Sequence, residues 1–191
     1  MVKKVHKHII KYKIAVSGAA ETGHCDKSAI EKAEQVGREI AKMGAVLMTG
    51  ATTGIPYWAA KGAKAEGGLV FGLSPGASEA DHVKSYRLPV DYHDAIIFTG
   101  FNYAGRNLLL TRSAEAVIVI CGRIGTLNEF TIAFEDKKII GVLEGTGGTA
   151  DQLREIIDKS HRGPGKVIFS SNPKKLVEQV GEMIKKDRYG V

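Results

Sequence analysis

A chain of 191 residues, 43% apolar and 25% charged, is long enough to bury one core, and this composition excludes a disordered or low-complexity protein. Its longest apolar runs, such as Ala116 to Cys121, are strand-length and too short to span a bilayer as a helix. The net charge of +6 is local: five of the 27 lysines and arginines (Lys3, Lys4, Lys7, Lys11, Lys13) and no acid lie in residues 1–13, leaving the remainder nearly neutral.

That distribution predicts a solvated basic extension over residues 1–12 and a single domain over residues 13–191. A nucleic-acid face would concentrate basic residues on the body with aromatics between them, so nucleic acid is not the expected partner. The start carries charge but no apolar signal core, and a cytoplasmic protein with no membrane partner is expected. The two cysteines, Cys25 and Cys121, form no C-x-x-C pair and have no histidine cluster near them in sequence. This argues against a zinc site and a disulfide framework alike; neither a metal nor a cofactor is expected.

Short apolar runs alternate with amphipathic stretches along the chain. Lys13–Ser17 reads as a buried first strand. Ser28 and Glu31 have capping-box spacing and open a helix whose apolar positions Ile30, Ala33, Val36, Ile40 and Met43 recur at helical intervals up to Gly44. Strands are expected at 45–48, 69–73, 95–98, 116–120, 139–143 and 167–169. Helices are expected at about 55–66, 103–113 and 126–136, from Thr149 (a second capping box, with Gln152) to about Ser160, and from Asn172-Pro173 onward. Residues 77–94 form a long polar loop with some helix. Val- and Ile-rich strands separated by helices predict an α/β fold, a doubly wound, mostly parallel sheet of about seven strands covered on both faces, Rossmann-like in kind.

Such sheets bind ligands at the carboxyl ends of their strands, and the loops there are rich in Gly, Ser and Thr. Ser17 and Gly18 close the first strand. The loop Thr49-Gly50-Ala51-Thr52-Thr53-Gly54 precedes a helix, as anion binding at a helix N-terminus requires. It lacks the P-loop spacing and no dinucleotide fingerprint follows the first strand; its glycines also suit tight turns. Cys121-Gly122-Arg123-Ile124-Gly125-Thr126-Leu127-Asn128-Glu129 follows the fifth strand. Glu129 stands at capping-box spacing from Thr126, so it reads either as a cap or as a carboxylate at an anion pocket. Cys121 could place a thiol there, though no partner base is evident. Arg106-Asn107 opens another helix and could grip a phosphate or face solvent. Histidines 24, 82, 93 and 161 read as ordinary polar residues.

In order along the chain, these stretches resemble the LONELY GUY (LOG) family, long mislabelled as lysine decarboxylases, within the Rossmann-like SLOG superfamily. The family's pattern is G-G-x-x-G after strand two, an R-K helix start, and P-G-G-x-G-T-x-x-E. The resemblance implies hydrolysis of the N-glycosidic bond of a nucleoside 5′-monophosphate, with Arg106 and Glu129 at the catalytic positions. Glu129 would steady oxocarbenium character, while Ser17, Gly18, Gly50, Thr52, Thr53, Gly54, Asn107, Gly122, Arg123, Gly125 and Thr126 hold the phosphorylated ligand. It also implies a homodimer through the Leu108-Leu109-Leu110 helix. Here Cys121, Arg123 and Asn107 replace the motif's Pro, second Gly and Lys. Those substitutions resemble the branch of nucleotide-binding proteins that includes molybdenum-cofactor carriers, for which the implied role is non-catalytic binding of a phosphate ligand.

Overall fold

In a computed structural model, which describes residues 10–189, the strands are β1 (Lys13–Gly18), β2 (Val46–Thr49), β3 (Leu69–Ser74), β4 (Ala95–Phe98), β5 (Ala116–Ile120), β6 (Ile139–Leu143) and β7 (Val167–Ser170). The helices are α1 (Ala29–Lys42), α2 (Ile55–Ala65), α3 (Asn102–Ser113), α4 (Ile124–Glu135), α5 (Leu153–Ser160) and α6 (Pro173–Tyr189). All seven strands run parallel in the order β4-β3-β2-β1-β5-β6-β7, which is the expected Rossmann-like α/β fold. The chain builds outward from β1 to β4 and then returns to β5 on the other side of β1. That reversal opens a crevice at the carboxyl ends of β1 and β5.

The central strands are buried on both faces, and their side chains alternate between two cores. Ile14, Val16, Leu47, Ile118 and Ile120 pack under α1, α2 and α6. Ala15, Met48, Val117, Val119, Ile140 and Val142 face the opposite way, under α3, α4 and α5. On the first face α1 and α2 approach backbone to backbone: a Cβ on Gly37 would overlap the Ala59 carbonyl, and one on Gly62 the Glu34 carbonyl.

The expected capping boxes do not form. Ser28 precedes α1, but it makes no side-chain cap. Its hydroxyl and its N–H both donate to Asp26 Oδ1, at 2.6 and 2.9 Å, a nearby carboxylate being the stronger acceptor. Residues Gly148–Gln152 form a 3-10 turn that runs into α5, while Asp151 accepts the Gly145 and Gly147 N–H groups at 2.8 and 2.9 Å. Asn172 does cap α6, accepting the Lys175 N–H at 2.9 Å. Within residues 77–94 the regular part is a π-helical turn at Asp81–Ser85.

Of the basic extension, residues 1–9 lie outside the described residues. Lys13 is part of β1 and pairs with Glu115 at 2.8 Å. Among the described residues no helix is long and apolar enough to cross a membrane. The expectation that the cysteines stand apart is corrected: Cys25 and Cys121, 96 positions apart, form a disulfide. Linear spacing hides this pair, because only the adjacency of β1 and β5 brings their loops together. Gly37→Ala, which forces α1 from α2, should lower unfolding free energy by about 1–3 kcal/mol in a denaturant titration.

Candidate functional site

A cavity of about 530 Å³ lies over the carboxyl ends of β1, β2 and β5, at the reversal of strand order. Its floor is an ionic cluster assembled from three elements. Ser17, in β1, donates its hydroxyl to Glu129 Oε2; Arg106, in α3, donates Nη1 to Glu129 Oε1 at 3.3 Å. The Arg106 and Glu129 side chains are only 7% and 8% exposed. With its amide nitrogen turned toward Glu129, Asn107 donates to Oε1 at 3.1 Å and to the Tyr103 carbonyl at 3.0 Å. Gly50 makes room for the arginine, since a Cβ there would overlap the guanidinium.

Glu129 is therefore not a helix cap. Helix α4 begins at Ile124, two residues before Thr126, with Arg123 at its N-cap and no side-chain cap. Glu129 is its sixth residue and points into the sheet's crevice. Burial pushes the Glu129 carboxyl above its ordinary value, opposed by the Arg106 charge and the Ser17 hydroxyl. The guanidinium retains its proton throughout the ordinary pH range.

The wall beside this floor offers donors. The first α4 amide to bond back along the helix is Leu127 N–H, to the Arg123 carbonyl at 3.0 Å. The amides of Ile124, Gly125 and Thr126 precede it without helical acceptors, and Gly125 and Thr126 line the cavity. The turn into α4 is tight, with Cys121 at φ +52° and Gly122 at φ +103°; a Cβ on Gly122 would overlap the Thr126 side chain. Arg123 lies at the rim, half-exposed and paired with Glu21 at 2.9 Å.

Ser17, Gly18, Gly50, Thr52, Thr53, Arg106, Asn107, Arg123, Gly125, Thr126 and Glu129 all line this one cavity. Gly54 and Gly122 stand behind the lining: Gly54 packs on the Ala19 and Ala20 carbonyls, and the Gly122 carbonyl accepts Thr149 N–H at 3.1 Å. Thr53 directs its hydroxyl to the Ala20 carbonyl at 3.0 Å, away from a ligand role. The spacing of motifs gave no sign of Tyr86, Arg87 and Leu88, which residues 77–94 bring to the rim, or of Tyr103. Tyr86 and Tyr103 meet edge to face at 5.5 Å, and the Tyr86 hydroxyl donates to Asn102 Oδ1 at 2.5 Å. Only an irregular segment that folds back over the strand ends could supply this wall.

Cys121 has no free thiol, which removes the nucleophile reading. His24, Cys25 and Cys121 come close enough together to share a metal ion, but their two sulfurs are bonded to each other. His82 is fully buried, bonded to Ser74 Oγ at 2.8 Å and the Pro89 carbonyl at 3.0 Å, and so anchors the rim segment.

The raised Glu129 pKa has a definite sign for stability. A group whose pKa is raised by folding favours the folded state below its unfolded value, 4.5, and loses that contribution as pH rises through the folded value. Measured from pH 7 down to 4.5, the stability of the parent relative to Glu129→Gln should therefore increase. A flat difference would show that Glu129 titrates alike in both states.

Comparison with known proteins agrees with this architecture. An uncharacterised protein of Archaeoglobus fulgidus is 33% identical over 132 residues, which are 69% of this chain and 82% of that protein. The molybdenum cofactor binding protein of the phototrophic bacterium Rippkaea orientalis superposes with a TM-score of 0.74 at 27% identity, covering 93% of this chain and 99% of that one. The Moco carrier protein of Chlamydomonas reinhardtii does so with a TM-score of 0.75 at 26% identity, with the same coverage. The model of the SLOG cluster4 family matches residues 11–177, and the chain belongs to that family.

Proposed function

We propose that this chain binds a phosphorylated small molecule carrying a heterocycle, of the nucleotide or molybdenum-cofactor kind, and holds it intact. The observation that carries this reading is the division of the cavity into a closed floor and an open wall. The Glu129 carboxylate is engaged by Ser17, Arg106 and Asn107 and its side chain is 8% exposed, so a water to be activated would have to displace one of these partners. The remaining donors are the Gly125 and Thr126 amides and the Arg123 guanidinium N–H groups that Glu21 does not engage, which suit a phosphate. Tyr86 and Tyr103 offer ring surface at the rim, and about 530 Å³ is in the range of small-molecule sites. The likeness to the molybdenum cofactor binding and carrier proteins supports the same reading.

Hydrolysis of a nucleoside 5′-monophosphate is the second reading, favoured by Arg106 and Glu129 meeting in the cavity as the resemblance implies. Incubation with a panel of nucleoside 5′-monophosphates separates the two, with free base followed by chromatography and binding by thermal shift. A carrier or binder shows stabilisation without base release. Base release that disappears in Glu129→Gln makes the protein a phosphoribohydrolase instead. In either case Arg123→Ala should weaken nucleotide binding by roughly tenfold, the equivalent of one charge-assisted hydrogen bond of about 1.5 kcal/mol.

A homodimer through α3 is part of this proposal. Leu110 is buried in the core, whereas Leu108 and Leu109 are each 38% exposed and Phe101 is 65% exposed, an apolar strip of the kind that partners cover. Sedimentation should give a dimer, and Leu108→Asp with Leu109→Asp should give a folded monomer; a parent that sediments as a monomer removes this interface.

A further inference from the structure

The loops leaving β1 and β5 form facing walls of the cavity, and one covalent bond joins them. The first loop contributes Ala19, Ala20 and Glu21 to the lining, and the second contributes Arg123, Gly125 and Thr126. Between them, Cys25 is half-buried and Cys121 fully buried. The first loop is held at its ends: the Ala19 carbonyl accepts Ile55 N–H at 2.9 Å, the Ala20 carbonyl accepts the Thr53 hydroxyl at 3.0 Å, and Cys25 forms a bridge with Gly147. Across the gap the non-covalent ties are an exposed Glu21–Arg123 pair, with side chains 79% and 50% exposed, and His24 Nε2 at 3.2 Å from the Gly122 carbonyl. Exposed pairs of this kind hold little. His24 Nε2 also lies 3.6 Å from Cys121 Sγ.

We propose that Cys25–Cys121 is a thiol–disulfide exchange site, opened by an external dithiol at Cys25, the less buried residue of the pair, and that its state sets how firmly the β1–α1 loop closes on the cavity. Cys25 is half-buried and Cys121 fully buried, so attack falls on Cys25. A thiolate of the external dithiol bonds to Cys25 Sγ, the Sγ–Sγ bond breaks, and its electron pair leaves on Cys121 Sγ. That sulfur is buried, and a buried thiolate is costly without a proton or a cationic partner. The His24 imidazole is placed to deliver the proton that makes it a thiol. The second external thiolate then attacks its own sulfur in the mixed disulfide and releases Cys25. In sum the dithiol is oxidised to its disulfide, and Cys25 and Cys121 are reduced by the same two electrons with two protons. With the bond open, residues 21–24, between those anchors, keep only surface ties to the β5–α4 loop, while β1 and β5 remain paired in the sheet.

The test needs no knowledge of the ligand, so its failure is separate from failure of the binding proposal. Native, air-oxidised protein is treated with dithiothreitol at neutral pH. Thiols are counted by alkylation and mass spectrometry, the fold is followed by circular dichroism, and amide hydrogen exchange is read by segment. The expected result is reduction without loss of fold, with residues 21–24 exchanging about tenfold faster while β1 and β5 are unchanged. His24→Ala should slow reduction several-fold at about the same pH. Cys25→Ser with Cys121→Ser should reproduce the fast exchange with no reductant present. A disulfide that opens only in denaturant overturns the proposal. So does exchange in residues 21–24 that is indifferent to redox state, or air-oxidised protein in which both cysteines alkylate. An unchanged rate in His24→Ala overturns the imidazole's part.

Discussion

An ion pair out of contact with bulk water is tolerated only when its remaining lone pairs and protons are satisfied, because desolvation otherwise exceeds the Coulombic gain. The Arg106–Glu129 pair meets most of that condition by drawing on separate parts of the chain. Ser17 comes from β1 and Asn107 from α3, and α4 carries the carboxylate itself. Gly50, after β2, gives up its side chain so that the guanidinium can pass. Arg106 Nε is left without a partner among the described residues, so the satisfaction is incomplete on the cationic side. Four sequence-distant segments are thereby held in one arrangement, and the floor of the cavity is organised before any ligand arrives.

The rim obeys different physics. Its ties are a half-exposed salt bridge, a tyrosine pair, a disulfide and the buried His82 that anchors residues 77–94, and its sheet-type contact is the isolated Cys25–Gly147 bridge. A floor held by buried contacts and a rim held mostly by surface ones would suit the binding role proposed above. They also explain why the positions departing from the LOG pattern matter unequally. Asn107 takes a place inside the cluster, supplying a neutral donor to Glu129 where a lysine would bring a second cation. Arg123 lies outside the floor, at the α4 N-terminus, where its charge adds to the free amides.

The strands and most helices were readable from one dimension because a parallel sheet covered on both faces demands continuous apolar runs, and β5, Ala116–Ile120, is such a run. The capping boxes at Ser28 and Thr149 were misleading because other acceptors take the donors they need. Asp26 accepts the Ser28 N–H, the Thr149 N–H donates to the distant Gly122 carbonyl, and a spacing rule does not weigh competing acceptors. Thr126-x-x-Glu129 satisfied that rule while α4 began two residues earlier, which turned a plausible cap into the buried anion of the site. The resemblance to a known family singled out Arg106 and Glu129, which no periodicity could have done, and the fold pairs their side chains.

By itself the sequence determined the alternation of strand and helix, the doubly wound class and the loops at which chemistry would sit, since these follow from local pattern and chirality. Tertiary structure alone decided which groups meet. Cys25 finds Cys121, Ser17 and Arg106 find Glu129, and Tyr86 closes on Tyr103, each across a gap that depends on strand order. The reversal that lays β5 beside β1 is set by the energy of the whole sheet, and no short window of residues carries it.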